Sequence, residues 1–220
     1  MKNSFIFLSG GGDAKDSFEL DKKFFALLNN NSKILYIPIA LGRDKIGYEA
    51  CYDWFSTIIS RHSLEKDIDF TMLLEDDNIP NLNGYNAIYV GGGNTYRLLD
   101  YVYRKNFIKN FLDFIKSGGI IYGGSAGAII MGKDIRIVEE ENDKNYQNFL
   151  GLNLLEGKSV KCHYEDNFDL EIFSFVQKIG SQVLALPENA GLILDANSKV
   201  IEIIGEVYIF DEKGKRHLCI

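Results

Sequence analysis

The sequence predicts an α/β fold built from parallel β-α-β units. Short β-rich runs alternate with amphipathic stretches through the first half of the chain, and glycine clusters follow several of these runs. Two of the runs, at 86–90 and 120–122, are almost continuously apolar, which is typical of strands in the buried middle of a parallel sheet. We therefore expect a mostly parallel sheet with helices between its strands.

The first half contains alternating predicted strands and helices. Runs rich in β-branched and aromatic residues, bounded by glycine, proline or polar loops, predict strands at 4–9, 33–39, 70–74, 86–90 and 120–122. Apolar residues at helical spacing predict a helix that starts at Asp16 or Ser17, and further helices at 48–61, 96–103, 107–117 and 126–131.

The pattern changes after Lys133, where an acidic loop covers 139–143. Beyond it we predict a helix at 170–179 and strands at 160–162, 183–186, 192–194, 199–204 and 207–210. The last third is therefore richer in β structure than the first. Neither a linker composition nor a repeat interrupts the chain, so we predict one domain that spans 1–220.

Composition excludes several classes of protein. The 220 residues are 46% hydrophobic, and the formal net charge is −7, with no run of Lys or Arg longer than two. A nucleic-acid partner is therefore not expected, and neither a secretion signal nor a membrane-spanning run is found. Three scattered cysteines (Cys51, Cys162 and Cys219) do not form a disulfide framework or a zinc site. We expect a cytoplasmic protein that uses no metal or other cofactor.

The segment 123–127, Gly-Gly-Ser-Ala-Gly, fits the pattern G-x-S-x-G between an apolar strand and a predicted helix. In such an elbow a serine sits in a sharp strand-to-helix turn, and the turn tolerates only small neighbours. The serine hydroxyl then stands at the carboxyl end of the sheet beside the free N–H groups of a helix N-terminus. The pattern predicts Ser125 as a nucleophile.

A serine nucleophile needs a base, and histidine is the usual choice because its pKa lies near neutrality. Of the three histidines, His62 follows a predicted helix and His217 lies four residues from the last residue of the sequence, so both are expected at the surface. His163 ends a predicted strand, at an edge of the sheet, and is the best-placed base.

A carboxylate is needed to orient the histidine. Two segments supply candidates: the acidic loop between the serine and His163, and the end of the predicted strand at 183–186. The candidates are Glu139, Glu140, Glu141, Asp143 and Glu188.

An oxyanion hole commonly combines the N–H after the nucleophile, here that of Ala126, with one from a second loop. The glycine-rich segment 91–94 follows a neighbouring buried strand and offers such N–H groups. A nucleotide-binding loop is a weaker interpretation, because 10–12 lacks the third glycine of G-x-G-x-x-G.

The two motifs V-G-G-G-N-T at 90–95 and G-S-A-G-A at 124–128 together resemble those of the dipeptidase E and cyanophycinase family of serine peptidases. The resemblance extends from the first strand to about Leu194. It implies a class I glutamine-amidotransferase-like fold, which has three α/β/α layers around a mostly parallel sheet. It also assigns Ser125 as nucleophile, His163 as base, Gly92 and Ala126 as oxyanion donors, and Asn94 as a residue lining the substrate site.

The resemblance also suggests the acid and the substrate. Glu140 falls where dipeptidase E has an aspartate, whereas a cyanophycinase-like register favours Asp143, and we predict Glu140. Members of the family cleave after aspartate or release β-aspartyl-arginine. Because a guanidinium can bind a carboxylate with two hydrogen bonds, we predict that Arg136 recognises the substrate.

We therefore predict a cytoplasmic serine peptidase, monomeric or homodimeric, that hydrolyses small peptides with an N-terminal aspartate. Cyanophycinase-like or β-aspartyl peptidase activity is an alternative within the family. Outside it, an α/β-hydrolase esterase would pair Ser125 with His217 and either Asp195 or Asp211. A non-catalytic protein that binds acidic peptides is the alternative from a different class.

Overall fold

The structure is a computed structural model that describes residues 4–42, 47–63, 65–142 and 145–220. The strands in these ranges are β1 Phe5–Ser9, β2 Ser32–Ile37, β3 Ile68–Met72, β4 Ala87–Val90, β5 Ile120–Gly124, β6 Ser159–Lys161, β7 Val183–Ala185, β8 Gly191–Asp195, β9 Val200–Ile204, β10 Tyr208–Asp211 and β11 Gly214–His217. The helices are α1 Phe18–Leu27, α2 Tyr48–His62, α3 Thr95–Arg104, α4 Ile108–Lys116, α5 Ala126–Ile129 and α6 Asp169–Ile179.

A seven-stranded sheet with the order β3-β2-β4-β5-β1-β8-β9 forms the centre of the fold. The five strands from β3 to β1 are parallel, whereas β8 and β9 join the sheet antiparallel. The predicted mostly parallel sheet is therefore confirmed. Because β4, β5 and β1 are adjacent and parallel, the loops that follow them meet at one edge of the sheet.

Side chains of the central strands alternate between two apolar cores, as the period of two in a strand requires. On β5, Ile121 packs into one core and Tyr122 into the other. Helices α1 and α2 cover the Tyr122 face with residues such as Phe24 and Phe55, and α3, α4 and α5 cover the opposite face with residues such as Leu98. The result is the predicted arrangement of three layers.

A second, smaller sheet has the order β11-β10-β7-β6, and α6 packs against it. The sequence predicts β6, β7 and β10 but not β11, which pairs with β10 as a hairpin around the turn after Asp211. The predicted strand at 33–39 ends earlier, at Ile37, because Pro38 leads into a short 3-10 turn. The helix predicted at 126–131 is the single turn α5.

Among the helices in the described part of the chain, none is both long and apolar enough to cross a lipid bilayer.

Asp21 is a buried carboxylate in the core beneath α1. Its side chain accepts a hydrogen bond from the Ser17 hydroxyl at 2.8 Å, and the residue is only 1% exposed. Removal from water penalises the charged form, so burial raises the pKa of Asp21 to about 6, against an ordinary value of 3.8. Asp21 therefore binds a proton more tightly in the folded state than in the unfolded chain.

We expect Asp21→Asn to change the pH dependence of stability. Between about pH 4 and pH 6 the folded state holds a proton that the unfolded chain has lost, so this group makes the wild type less stable as the pH rises. Relative to wild type, the free energy of unfolding of Asp21→Asn should rise by up to roughly 3 kcal/mol across this window. Denaturant unfolding of both proteins at several pH values measures this difference in the free energy of unfolding.

Glu19→Gln is the matched control, because Glu19 lies on the same helix and is exposed. This variant removes a carboxyl from the surface of α1 and leaves Asp21 in place, so it should not reproduce the pH-dependent gain of Asp21→Asn. If Asp21→Asn follows the wild type at every pH, burial does not perturb this carboxyl.

Candidate active site

The candidate site lies at the edge where three strands end in glycine-rich loops. The loop after β1 contains 10–12, the loop after β4 contains 91–93, and β5 runs into the elbow that carries Ser125. Parallel pairing of β5 with β1 and with β4 brings the three loops side by side. Ligands of open α/β sheets characteristically bind beyond the carboxyl ends of such strands.

Ser125 has the backbone geometry of a nucleophile elbow. Its φ of 48° and ψ of −111° lie in a region that non-glycine residues rarely adopt. A Cβ on Gly123 would lie 2.6 Å from the backbone of Gly127, and one on Gly127 would lie 2.3 Å from the carbonyl oxygen of Val90. The turn therefore requires small residues on both sides of the serine.

Ser125 and His163 are hydrogen-bonded, with 2.8 Å between Oγ and Nε2. The other ring nitrogen of His163, Nδ1, lies 2.8 Å from Oε1 of Glu188. When Nδ1 carries the proton and donates it to the carboxylate, Nε2 is free to accept from the serine hydroxyl. Hydrogen bonds thus link the three side chains, from the Glu188 carboxylate through the His163 ring to the Ser125 hydroxyl.

The backbone around His163 is held close to the serine. His163 has a φ of 51°, and its N–H donates to the carbonyl oxygen of Gly10 at 2.9 Å. The preceding residue, Cys162, is buried, and its Sγ lies 3.5 Å from the carbonyl oxygen of Ser9 and 3.6 Å from that of Ser125. The segment that follows β6 of the small sheet therefore places His163 at the edge of the large sheet.

Glu188 comes from the loop after β7, which packs against the loop after β1. The Gly12 N–H donates to the carbonyl oxygen of Glu188 at 3.3 Å, and the Gly10 N–H donates to that of Ala190 at 2.9 Å. A Cβ on Gly10 would lie 1.8 Å from the carbonyl oxygen of Pro187. The glycines of the 10–12 loop therefore allow the loop that carries Glu188 to approach closely.

Gly11 occupies the centre of this arrangement. It has a φ of 102°, and a Cβ there would lie 2.6 Å from the His163 ring and 2.8 Å from Cβ of Ser125. In the sequence this loop is interpreted only as a weak nucleotide-binding motif. The missed signal is its position after β1, which the strand order places next to the elbow.

Glu140, the predicted acid, does not contact His163. Its carboxylate accepts hydrogen bonds from the backbone N–H and the hydroxyl of Thr95, the first residue of α3. An anion is stabilised at a helix N-terminus by the unpaired N–H groups and the helix dipole. Burial raises the pKa of Glu140, and the hydrogen bonds from Thr95 oppose that shift.

The other acids of the loop also lie apart from the histidine. Glu139 is exposed, and its carboxylate is 3.6 Å from Nζ of Lys161. Glu141 is exposed, and its carbonyl oxygen accepts from the Asn94 side chain. Asp143 lies outside the described residues.

The two predicted oxyanion donors border Ser125. A Cβ on Gly92 would lie 3.2 Å from Cβ and 3.8 Å from Oγ of the serine, so its backbone passes alongside the nucleophile. Ala126 follows the serine directly and begins α5.

The predicted substrate-binding residues are engaged within the protein. The Arg136 guanidinium binds the buried carboxylate of Asp134 through Nη2 at 2.5 Å and Nε at 3.0 Å, and it lies over the ring of Phe149. Asn94 caps α3, since its Oδ1 accepts from the Arg97 N–H at 2.9 Å. Arg136 therefore uses its planar fork on a carboxylate of its own chain.

The residues of the esterase alternative lie elsewhere in the fold. His217 is exposed on β11 with its ring 4.6 Å from that of Tyr208, and Asp211 pairs with Arg216 at 2.7 Å. Asp195 accepts hydrogen bonds from N–H groups in the turn after β8.

The third histidine, His62, stacks on Phe25. The described residues contain no group of three or more His, Cys, Asp or Glu placed to hold a metal ion.

Comparisons with solved structures identify the fold. The chain superimposes over its full length on a Listeria monocytogenes EGD-e protein solved as a candidate peptidase E, with a TM-score of 0.67 and 23% identity over 100% of both chains. A peptidase from an acI-B1 Actinobacterium gives a TM-score of 0.69 at 19% identity, over 98% of this chain and 94% of the other. The fold is therefore of the class I glutamine-amidotransferase-like type.

Comparisons of sequence identify the family. The chain is 27% identical over 141 residues to peptidase E of Shewanella denitrificans, which covers 64% of this chain and 57% of that protein. Peptidase E of Shewanella baltica gives 27% identity over the same length, 56% of that protein. The matched region thus spans little more than half of these relatives. The profile of peptidase family S51 matches residues 5–202, and the chain belongs to that family.

Proposed function

We propose that the protein hydrolyses peptide bonds of short peptides through an acyl-enzyme formed on Ser125. The observation that carries this proposal is the series of hydrogen bonds from Glu188 through His163 to the serine at the elbow. A neutral histidine with Nδ1–H directed at a carboxylate is poised to accept the serine proton at Nε2. Both His163 and Glu188 are exposed, so a short peptide can reach them.

The reaction proceeds in two halves. His163 takes the proton of Ser125 as Oγ attacks the scissile carbonyl carbon, and the resulting oxyanion accepts hydrogen bonds from the N–H groups of Gly92 and Ala126. The C–N bond then breaks, and the imidazolium gives its proton to the leaving amine. Water, deprotonated by His163, hydrolyses the ester and returns the serine to its free form.

In this mechanism Glu188, rather than Glu140, is the acid. It holds His163 in the tautomer that leaves Nε2 unprotonated, and its charge stabilises the imidazolium that forms in each half of the reaction. Glu140 has a separate role, because its carboxylate is bound at the start of α3.

The N-terminal aspartate implied by the family resemblance requires a cation to receive its carboxylate. Arg136 is already paired with Asp134, so the proposal gives it no part in substrate recognition. The proposal therefore extends to short peptides without specifying the residue before the scissile bond.

We expect Ser125→Ala and His163→Ala to abolish hydrolysis of a dipeptide mixture. For any single dipeptide that the wild type cleaves, kcat should fall by about 10⁵-fold or more. Glu188→Gln should lower kcat by about 10³- to 10⁴-fold, because the amide no longer favours the correct tautomer or the imidazolium. Amine release from the mixture measures all three variants. Labelling with a fluorophosphonate reports separately on the reactivity of the serine.

Glu140→Gln is the matched control for Glu188→Gln. It removes a charge from the predicted acid without touching His163, so we expect kcat to fall by less than about 10-fold, with a stability loss of about 1 kcal/mol from the weakened helix cap. A larger catalytic loss in Glu140→Gln than in Glu188→Gln would assign the acid to Glu140.

Gly11→Ala should separate the base from the nucleophile. The added methyl group would occupy space within 2.6 Å of the His163 ring, so we expect serine labelling and hydrolysis to fall at least about 100-fold. Gly214→Ala is the control, since its φ of 122° carries similar backbone strain but a Cβ there meets nothing within 4 Å. Equal losses in both variants would mean that strain alone, and not the approach to His163, explains the effect.

A further inference from the structure

A cavity of about 440 Å³ opens beside Ser125. It extends from the elbow and the two glycine loops toward the face of the sheet that α1 and α2 cover. This volume falls within the range of small-molecule binding pockets. The nucleophile therefore stands at the entrance of a space that could hold a substrate side chain.

The inner wall of the cavity is aromatic. Tyr36, Tyr89 and Tyr122 are directly paired neighbours on β2, β4 and β5, so their side chains project from the same face of the sheet in one row. The rings of Tyr89 and Tyr122 stack with 4.3 Å between centroids. Helix α2 contributes Trp54, whose ring lies 6.1 Å from those of Tyr36 and Tyr89, and the thiol of Cys51.

The described part of the cavity wall offers no cationic partner for an acidic side chain. None of the described residues that line it is an Asp, Glu, Lys, Arg or His. A carboxylate would lose its hydration there without gaining a cation from any of these residues.

The Arg136–Asp134 pair lies on the other side of the sheet. Arg136 packs against Phe149, which belongs to the core under α3, α4 and α5, whereas the tyrosine row belongs to the core under α1 and α2. The arginine predicted to bind an acidic substrate is therefore separated from the cavity that adjoins the serine.

The position of His163 indicates which part of the substrate enters. The leaving amine must lie within reach of His163 Nε2 to receive its proton. Of the described lining residues, Gly11 borders the His163 ring, whereas the tyrosine row belongs to the core under α1 and α2. Cys162, which precedes His163, packs in the core on the opposite face of the sheet. The cavity therefore extends from Ser125 away from His163, on the side of the residue that contributes the scissile carbonyl.

We propose that this cavity is the specificity pocket of the enzyme and that it takes a bulky apolar side chain, aromatic or aliphatic, from the residue whose carbonyl is attacked. The inference deepens the proposed function and rests on it. Trp54 and Ala50 set the preference, since Trp54 forms part of the wall and Ala50 is an exposed, small lining residue.

The first test compares hydrolysis of the dipeptides Phe-Ala, Leu-Ala, Ala-Ala, Asp-Ala and Lys-Ala. We expect kcat/KM for the Phe and Leu peptides to exceed that for the Asp and Lys peptides by about 100-fold or more. Trp54→Ala and Ala50→Phe should each lower the Phe-Ala to Ala-Ala ratio by about 10-fold, the first by removing a wall and the second by filling the space. Because the readout is a ratio, partial loss of folded protein does not affect it.

Tyr52→Ala is the matched control for Trp54→Ala. Tyr52 lies on the same helix, is 51% exposed against 42% for Trp54, and packs on Phe70 outside the cavity. Its Phe-Ala to Ala-Ala ratio should stay within about 2-fold of wild type. A preference for Asp-Ala or Lys-Ala, or a ratio that Trp54→Ala and Ala50→Phe leave unchanged, would overturn the inference while leaving the peptidase proposal intact.

The second test measures binding without catalysis. Trp54 is the single tryptophan of the chain, so its fluorescence reports directly on the cavity wall. In Ser125→Ala, titration with Phe-Ala should shift the emission and Asp-Ala should not. If wild type neither hydrolyses peptides nor labels with fluorophosphonate, the peptidase proposal fails. The pocket inference is then decided by this titration, and an emission unchanged by Phe-Ala up to its solubility limit refutes it.

Discussion

The contact between His163 and Ser125 depends on the absence of a side chain at Gly11. The histidine is delivered by β6 of the small sheet and the serine by β5 of the large sheet, and Gly11 lies between them with no room for a Cβ. The 10–12 loop also hydrogen-bonds to both 163 and 188–190. One short loop thus sets the distances between three side chains that come from three separate parts of the chain.

This dependence explains which parts of the site the sequence could predict. The elbow around Ser125 is local: a strand, a sharp turn and a helix follow one another, and small residues are needed at fixed offsets. The acid of the proposed mechanism is not local. Glu188 reaches His163 because β6 pairs with β7 and the next loop packs on Gly10 and Gly12, which no spacing in the sequence reveals. The prediction of Glu140 came instead from the family resemblance, which places this residue where dipeptidase E has an aspartate.

The fold was predictable because most of its strands and helices, like the elbow, are marked by local sequence patterns. Parallel strands buried on both faces carry a strong apolar signal, as in β4 and β5, and the helices between them carry helical periodicity. The hairpin of β10 and β11 was half missed because Gly214–His217 is polar and exposed, with no alternation to mark a strand. The role expected of Glu140 came from the family resemblance, and that of Arg136 from the ability of a guanidinium to bind a carboxylate. In the folded protein Thr95 and Asp134 bind those two side chains.

The aromatic residues Tyr36, Tyr89 and Tyr122 contribute both to the core and to the wall of the cavity. In the sequence each belongs to a buried strand and is indistinguishable from core. Paired in register, they form a row that packs against Phe24 and Phe55 in the core and borders the open cavity next to the elbow. In the proposed mechanism, the sheet that positions Ser125 therefore also forms the wall of the specificity pocket. A change of specificity in this fold requires changes in the covering helix α2, where Trp54 and Ala50 are exposed, because the tyrosines cannot change without disturbing the core.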